Sequence, residues 1–469
     1  MIMKRRHYEF AVVFLLFLVF CFIFQINLSF ISQSRNVILS SNNNPGKERF
    51  KLKTVFEQNP LPSQPPPSFS LSPQARKINC DRSHKSYDLC TISGPTVLDP
   101  TVATFYLVGH QGPTSPPYSV EKIRPYPRKW ESFTMSGIRE LTLTSSPPGP
   151  SCEVHHNVPA LVFAAGGYTG NFFHDFNDGI IPLFITIHSV FSENQEFVLV
   201  ISKARDWWVR KYADLLQTFS KHPIINLDND SSAHCFTSAT IGLVSHGFMT
   251  INPKLLPNSQ TLTHFRSFLD RAYGRHRGEN HATTVNSLKR RPRLVLMSRS
   301  GGVGRVILNQ IQVKRIAEKI GFDVTIFEPT ANTPLWQAYA VINSSHAMVG
   351  VHGAALTHSL FLRPGSVFMQ VVPLGNEWVA EYCFGNSGRA MGLEYMEYRI
   401  EVEESSLVDK YDKNSLMLKD PIAFQGKKWS NDIMSIYLKE QNVRLDLARF
   451  REYLKNAYKK AKKFVDKEG

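Results

Sequence analysis

From Arg293 to Pro373 the chain alternates between short apolar runs and amphipathic stretches, and few folds tolerate that alternation. RLVLMSRS (293–300), DVTIFEP (323–329), HAMVGVHG (346–353) and SVFMQVVP (366–373) read as strands. QIQVKRIAEKIG (310–321) and LWQAYAVINS (335–344) read as helices. Strands separated by helical stretches pair in parallel, and the helices then cover the sheet. A second series precedes this one. ALVFAAGG (160–167), EFVLVISKA (196–204) and TIGLVSHGF (240–248) are its strands, with helices through DGIIPLFITIHSVF and WWVRKYADLLQTFS. Between the two lies HRGENHATTVNSLKRRP (276–292), basic and without periodicity, which reads as a linker. The expectation is an α/β protein with two Rossmann-like halves, 80–275 and 293–469, facing a cleft. The last stretch, from Ser430 to Phe464, has helical spacing with a basic outer face and reads as a closing helix.

The segment before residue 80 is different in kind. KRRH (4–7) is followed by an uncharged apolar run from Phe10 that continues to Ile31, 22 residues in all. That length crosses a hydrocarbon layer of roughly 30 Å. No small-x-small cleavage site follows, so an uncleaved anchor at 10–31 is expected rather than a signal peptide. Lys4, Arg5 and Arg6 keep the 1–9 tail cytoplasmic and send the rest of the chain into a secretory lumen. Residues 32–79, rich in Pro, Ser and Asn, read as an extended stem. The surplus of 54 Lys+Arg over 39 Asp+Glu, +15 overall, points to acidic partners. The compartment removes nucleic acid from that list and leaves anionic substrates and membrane.

Cys21 lies in the apolar run, and five cysteines remain for the lumen. The expected pairs are Cys80–Cys90, a local clip around DRSHKSYDL, and Cys152–Cys235, with Cys383 left over. No CxxC pair exists. Of the sequons at Asn27, Asn229 and Asn343, only Asn229 sits in a loop-like setting suited to glycan.

Three segments have the placement that ligand chemistry needs, at the carboxyl ends of strands. In MSRSGGVGRVILNQ, Arg299 and Arg305 flank SGGVG, with a helix expected after Val306. Two guanidiniums and glycine backbone suit a diphosphate, whereas a solvated loop is the bland reading. In VGVHGAALTHSLFLRPGS, the turn His352-Gly353-Ala354-Ala355-Leu356 lets a ligand press against a helix start, or else merely packs closely. In GGYTGNFFHDFNDGIIPLF, a helix beginning near Asn171 puts His174 and Asp178 on one face at i and i+4, with Asp175 and Asn177 pointing elsewhere. That pair can act as acid and base. Asp175 with Asp178 is a weaker metal option, and capping is the bland one.

Together with CDRSHKSYDLC and SKARDWWVRKYADLL, these blocks resemble plant members of glycosyltransferase family 61, in order and over nearly the whole luminal part. The resemblance implies a GT-B fold, inversion at the anomeric carbon, no required metal or cofactor, Golgi type II topology and pentosyl decoration of xylan. It implies a UDP-sugar donor in the C-terminal half, bound by Arg299, Arg305, His352, Gly353, Ala354 and Leu356. Asp178 is then the expected base, positioned by His174, with Asp175 its rival and Asn171 holding the site. UDP-xylose, giving β-1,2-xylosyl groups, is the first choice. UDP-arabinofuranose, giving α-1,3-arabinosyl groups, follows, then an N-glycan β-1,2-xylosyltransferase, then a non-catalytic Golgi polysaccharide-binding scaffold. Other xylan-synthesis enzymes are expected complex partners.

Overall fold

Among the described residues, twelve strands lie before residue 242. In chain order they begin with β1 (Lys77–Asp81), β2 (Leu89–Ser93), β3 (Thr96–Asp99), β4 (Thr104–Leu107), β5 (Val120–Ile123) and β6 (Leu141–Thr144). They continue with β7 (Val154–His155), β8 (Ala160–Ala164), β9 (Val198–Ser202), β10 (Ile225–Asn226), β11 (His234–Phe236) and β12 (Ala239–Ile241). The computed structural model describes residues 77–109, 119–275, 291–300, 302–426 and 430–468. The expected tail, anchor and nearly all of the stem lie outside the described residues, as does most of the 276–292 linker. Among the described residues no helix is long and apolar enough to cross a membrane.

These strands form two sheets. The first has the order β1-β2-β12-β8-β9-β10, and its β12, β8, β9 and β10 run parallel. β8 is buried along its whole length, as a parallel strand covered on both faces must be. Its side chains divide by the two-residue period. Leu161 and Phe163 enter a core shared with the helices Ile181–Val190 and Asp206–Phe219, while Val162 enters a second core with Leu98, Phe105 and Leu143. That second core belongs to the other sheet, β5-β6-β4-β3-β11-β7. The N-terminal half therefore departs from a helix–sheet–helix sandwich, because a β-sheet occupies the face where a second helix layer was expected. The β1–β2 hairpin places Cys80 directly opposite Cys90, and these are bonded. Cys152 is bonded to Cys235, and Cys383 is free.

The C-terminal half is one all-parallel sheet of β13 (Arg293–Met297), β14 (Asp323–Phe327), β15 (Ala347–Val351), β16 (Val367–Val372) and β17 (Glu394–Arg399). Its order is β14-β13-β15-β16-β17. The direction of growth reverses between β13 and β15, which opens a crevice at their carboxyl ends. The two halves share a core: Phe176 packs edge-on to Phe361, and Tyr273 tilts against Tyr339. Arg266 bolts them, donating to the carbonyls of Leu362 and Phe361 and to Asn343.

The helix after the arginine loop begins at Gln310, as expected of QIQVKRIAEKIG, and Val306–Leu308 before it pairs with Asn442 and Val443. The closing segment is broken at 441–446 by the same pairing, and its long helix is Leu447–Glu468. Asn229 is exposed in the turn after β10, whereas Asn343 is buried.

Candidate active site

β8 ends in Ala165-Gly166-Gly167, and the chain then turns into a short helix, Phe172–His174. Asn171 caps it by accepting from the Phe173 N–H at 3.1 Å. The next turn, Asp175–Ile180, widens to a π-helix before the α-helix Ile181–Val190. Such bulges open the ladder and often stand where chemistry is done. Here the widening still leaves His174 and Asp178 paired, with Nδ1 2.8 Å from Oδ2.

Asp178 is 2% exposed, and both its oxygens are occupied. Oδ1 accepts from Arg128 Nε at 3.0 Å and from Asn177 Nδ2 at 2.6 Å; Oδ2 accepts from the Tyr126 hydroxyl at 2.9 Å. Burial alone would raise its pKa, but the His174 hydrogen bond and the Arg128 charge outweigh it and hold the carboxyl below its usual range. Arg128 is itself buried and salt-bridged to Asp178 (2.9 Å) and Glu131 (2.8 Å). Tyr126, Arg128 and Glu131 were not singled out in the sequence; Arg128 reaches Asp178 across 50 positions. Asn177, expected to point away, instead bridges Asp178 and the Met249 N–H (2.7 Å).

His174 Nδ1 lies 2.8 Å from Asp178 Oδ2 and 3.1 Å from Arg128 Nη2, so this edge of the ring is held by the buried ion pair. The His174 side chain is 20% exposed, and Tyr168 stacks on its ring at 4.4 Å. Asp175 faces the other way: it accepts from Tyr212 at 2.7 Å and from the Gly170 N–H at 3.1 Å. Burial raises its pKa. It makes no contact with Asp178 among the described residues, and the two form no acidic metal cluster there. Cys152, His155 and Cys235 lie together, but the two sulfurs are consumed in a disulfide.

The second constellation lies at the β13/β15 crevice. Gly302, Gly304 and Arg305 all have left-handed φ (+64°, +69° and +59°), and Arg305 N–H is held by the Gln441 carbonyl. This folds the loop so that both guanidiniums converge on the turn after β15. A Cβ built on Gly353 would stand 2.9 Å from Arg305 Nη1 and 3.0 Å from Arg299 Nη1, so the position requires glycine. Arg305 Nη1 donates to the His352 carbonyl at 3.2 Å. Arg299 Nη1 and Arg305 Nε are buried without a hydrogen-bond partner among the described residues. Burial lowers the pKa of Arg299, and burial with the neighbouring Arg299 charge brings Arg305 down to about 9. His352 is fully buried against Gln370 (2.9 Å) and is pushed down to about 3 by burial and both arginines, so it is neutral. Ala354 is partly exposed at the start of the 3-10 helix Ala354–Phe361. Leu356 is 0% exposed and its N–H donates to the Gly353 carbonyl, so it supports the turn from within the core.

The two constellations meet through aromatics. Phe172 stacks on His358 at 4.3 Å, and Phe384 lies edge-on both to Phe173 (5.6 Å) and to His352 (5.5 Å).

The model of the family described as Glycosyltransferase 61 matches residues 170–369, which include both constellations. A xylan glycosyltransferase of Arabidopsis thaliana is 41% identical over 405 residues, 83% of this chain and 81% of its own length. The chain belongs to glycosyltransferase family 61. A β-1,2-xylosyltransferase of Oryza sativa subsp. japonica is 38% identical over 72% of this chain and 71% of its own. An α-1,3-arabinosyltransferase of the same rice is 36% identical over 82% of this chain and 65% of its own. A solved iron-containing heptosyltransferase aligns at a TM-score of 0.26 and 11% identity, over 72% of this chain and 84% of its own, too distant to inform the fold. As a family-61 glycosyltransferase the protein is an enzyme, which removes the scaffold alternative. Arg128 and Tyr126 lie upstream of the matched 170–369 segment, so the Asp178 network is completed from outside it.

Proposed function

We propose that the protein transfers a pentosyl group, with inversion, from a UDP-pentose to a xylan chain. The observation that carries this is the pair of half-buried guanidiniums of Arg299 and Arg305 at the crevice, which have no counterion and one buried, unpartnered nitrogen each among the described residues. Two half-buried cations side by side without a counterion call for an anion, and a nucleoside diphosphate leaving group supplies it. In this reading the arginines do what a divalent cation does elsewhere, and turnover in EDTA checks that.

The acceptor hydroxyl needs a base on the opposite wall. We assign that role to His174, with Asp178 orienting it and stabilising the imidazolium, which exchanges the roles expected from sequence. Asp178 is 2% exposed with both oxygens hydrogen-bonded, whereas the His174 side chain is 20% exposed; with Nδ1 held by Asp178 and Arg128, Nε2 is the atom we assign to take the proton. The acceptor O–H proton passes to Nε2, the acceptor oxygen bonds to the anomeric carbon, and the bond from that carbon to the β-phosphate oxygen breaks. UDP then leaves with its charge met by Arg299 and Arg305. Asn171 serves as the helix cap beneath His174, and Asp175 stays a buried structural carboxyl.

The xylosyl relative and the arabinosyl relative favour a pentose equally by identity; we take UDP-xylose and a β-1,2 linkage as the reading, with α-1,3-arabinofuranosyl transfer as the second. We also propose a GT-B arrangement, with donor in 293–469 and acceptor on 80–275, and a Golgi luminal position behind the 10–31 anchor. The two disulfides fit such an oxidising compartment. Incubating the purified protein with xylan oligosaccharides and each UDP-pentose, then determining the product linkage, tests the reading. A xylosylated product supports it, and transfer from neither donor overturns it.

A further inference from the structure

Beside His174, at the carboxyl ends of β8 and β9, lies a cavity of about 460 Å³ lined by Phe133, Tyr168, Lys203 and Arg205 among others, with no Asp or Glu in its lining. We propose that this cavity is an acceptor subsite that selects xylan bearing carboxylate-containing, uronosyl-type side groups. The inference rests on the transfer reading above and names its acceptor more closely.

Three observations converge on the same wall. Tyr168 both lines the cavity and stacks on His174, so a sugar ring seated there is adjacent to the proposed base. Its hydroxyl donates to Glu131 at 2.8 Å, which fixes the ring and leaves the residue 40% exposed. Phe133 is 90% exposed and lines the cavity, so its ring face is open to a ligand. Aromatic faces of this kind stack on the C–H faces of pyranose rings.

The third observation is charge. The Lys203 and Arg205 side chains are exposed and make no ion pair or hydrogen bond among the described residues. Of the nearby carboxylates, Glu131 is salt-bridged to Arg128 and Asp228 to Arg139, and the exposed Asp206 lies outside the lining. Lys203 is also held at φ +57°, a conformation that costs energy in any non-glycine residue. A cavity with aromatic walls, two uncommitted cations and no acid complements an anionic glycan better than a neutral one.

The test is equilibrium binding to the purified full-length chain of two acceptors of equal length, neutral xylohexaose and xylohexaose carrying one glucuronosyl branch. The branched acceptor is expected to bind roughly tenfold more tightly, from two partly exposed charge contacts, and that ratio should shrink as salt is raised. Lys203→Gln with Arg205→Gln should bring the ratio near one, while Lys203→Arg with Arg205→Lys should keep it, separating charge from misfolding. Phe133→Ala should weaken both acceptors together. Equal binding by the wild type, or a ratio that survives the double glutamine variant, overturns the subsite. A parallel transfer assay separates the two readings: a binding ratio without transfer supports the subsite and removes the reaction, and transfer with equal binding does the reverse.

Discussion

Asp178 and Arg305 are both ionisable groups drawn out of full contact with water in segments that follow strands, yet the chain treats them in opposite ways. Asp178 is saturated by Tyr126, Arg128, Asn177 and His174, four partners drawn from two separate stretches of sequence. Arg305 has one carbonyl contact and a second guanidinium for a neighbour, with one donor unpaired. A saturated charge holds its surroundings in place and has little left to offer a ligand. An unsatisfied one is incomplete until a ligand arrives. In the proposed reading, the difference separates orienting machinery on the acceptor side from anion-binding machinery on the donor side.

The largest effect that would break this comparison is catalytic. His174→Gln should lower kcat by roughly a thousandfold, the range for losing a general base, with UDP binding unchanged; near-normal kcat would show that another group takes the proton. Asp178→Asn should also cripple turnover, because the amide cannot hold the imidazole as an ionised carboxylate does. A variant with normal kcat would remove the Asp178–His174 pair from the mechanism. Next in size is stability. Arg128→Met strands a buried carboxylate and should destabilise the fold by about 3–5 kcal/mol in thermal or chemical denaturation. The smallest effect is in pH. Burial drives His246, His352 and His358 down to about 4, 3 and 4 from an ordinary 6.5. The unfolded chain therefore takes up protons first, so stability is full above about pH 6.5 and falls toward pH 4. Melting curves at pH 7.5 and 5 check the sign, and His358→Gln should flatten the slope.

Much of the donor side was legible in the sequence because its parts lie at strand ends of one regular series. Arg299 follows β13 and His352–Gly353 follows β15, and the switch in strand order makes those ends neighbours. His174 and Asp178 were legible as a helical pair, and the Cys80–Cys90 clip as a short loop. Arg128 was not, since a buried ion pair across 50 residues leaves no local pattern. Nor was the second sheet, whose strands of two to four residues between Thr96 and Phe236 are too short to show a period. The break at 441–446 in the closing segment was hidden for a similar reason: the partner of Asn442–Val443 is Val306–Leu308, more than a hundred residues away. Exchange of the Asp178 and His174 roles came from burial, which sequence spacing does not report.

The central claim is that one arginine is paired for good and another awaits an anion. The most direct measurement is the melting temperature of wild type, Arg128→Met and Arg305→Met, each with and without UDP. Arg128→Met should melt well below wild type. Arg305→Met should melt at or above it without nucleotide, since an unpaired, half-buried charge has gone, and should lose the stabilisation that UDP gives the wild type. If Arg305→Met instead destabilises the fold as Arg128→Met does, or is stabilised by UDP as fully as wild type, the account is contradicted.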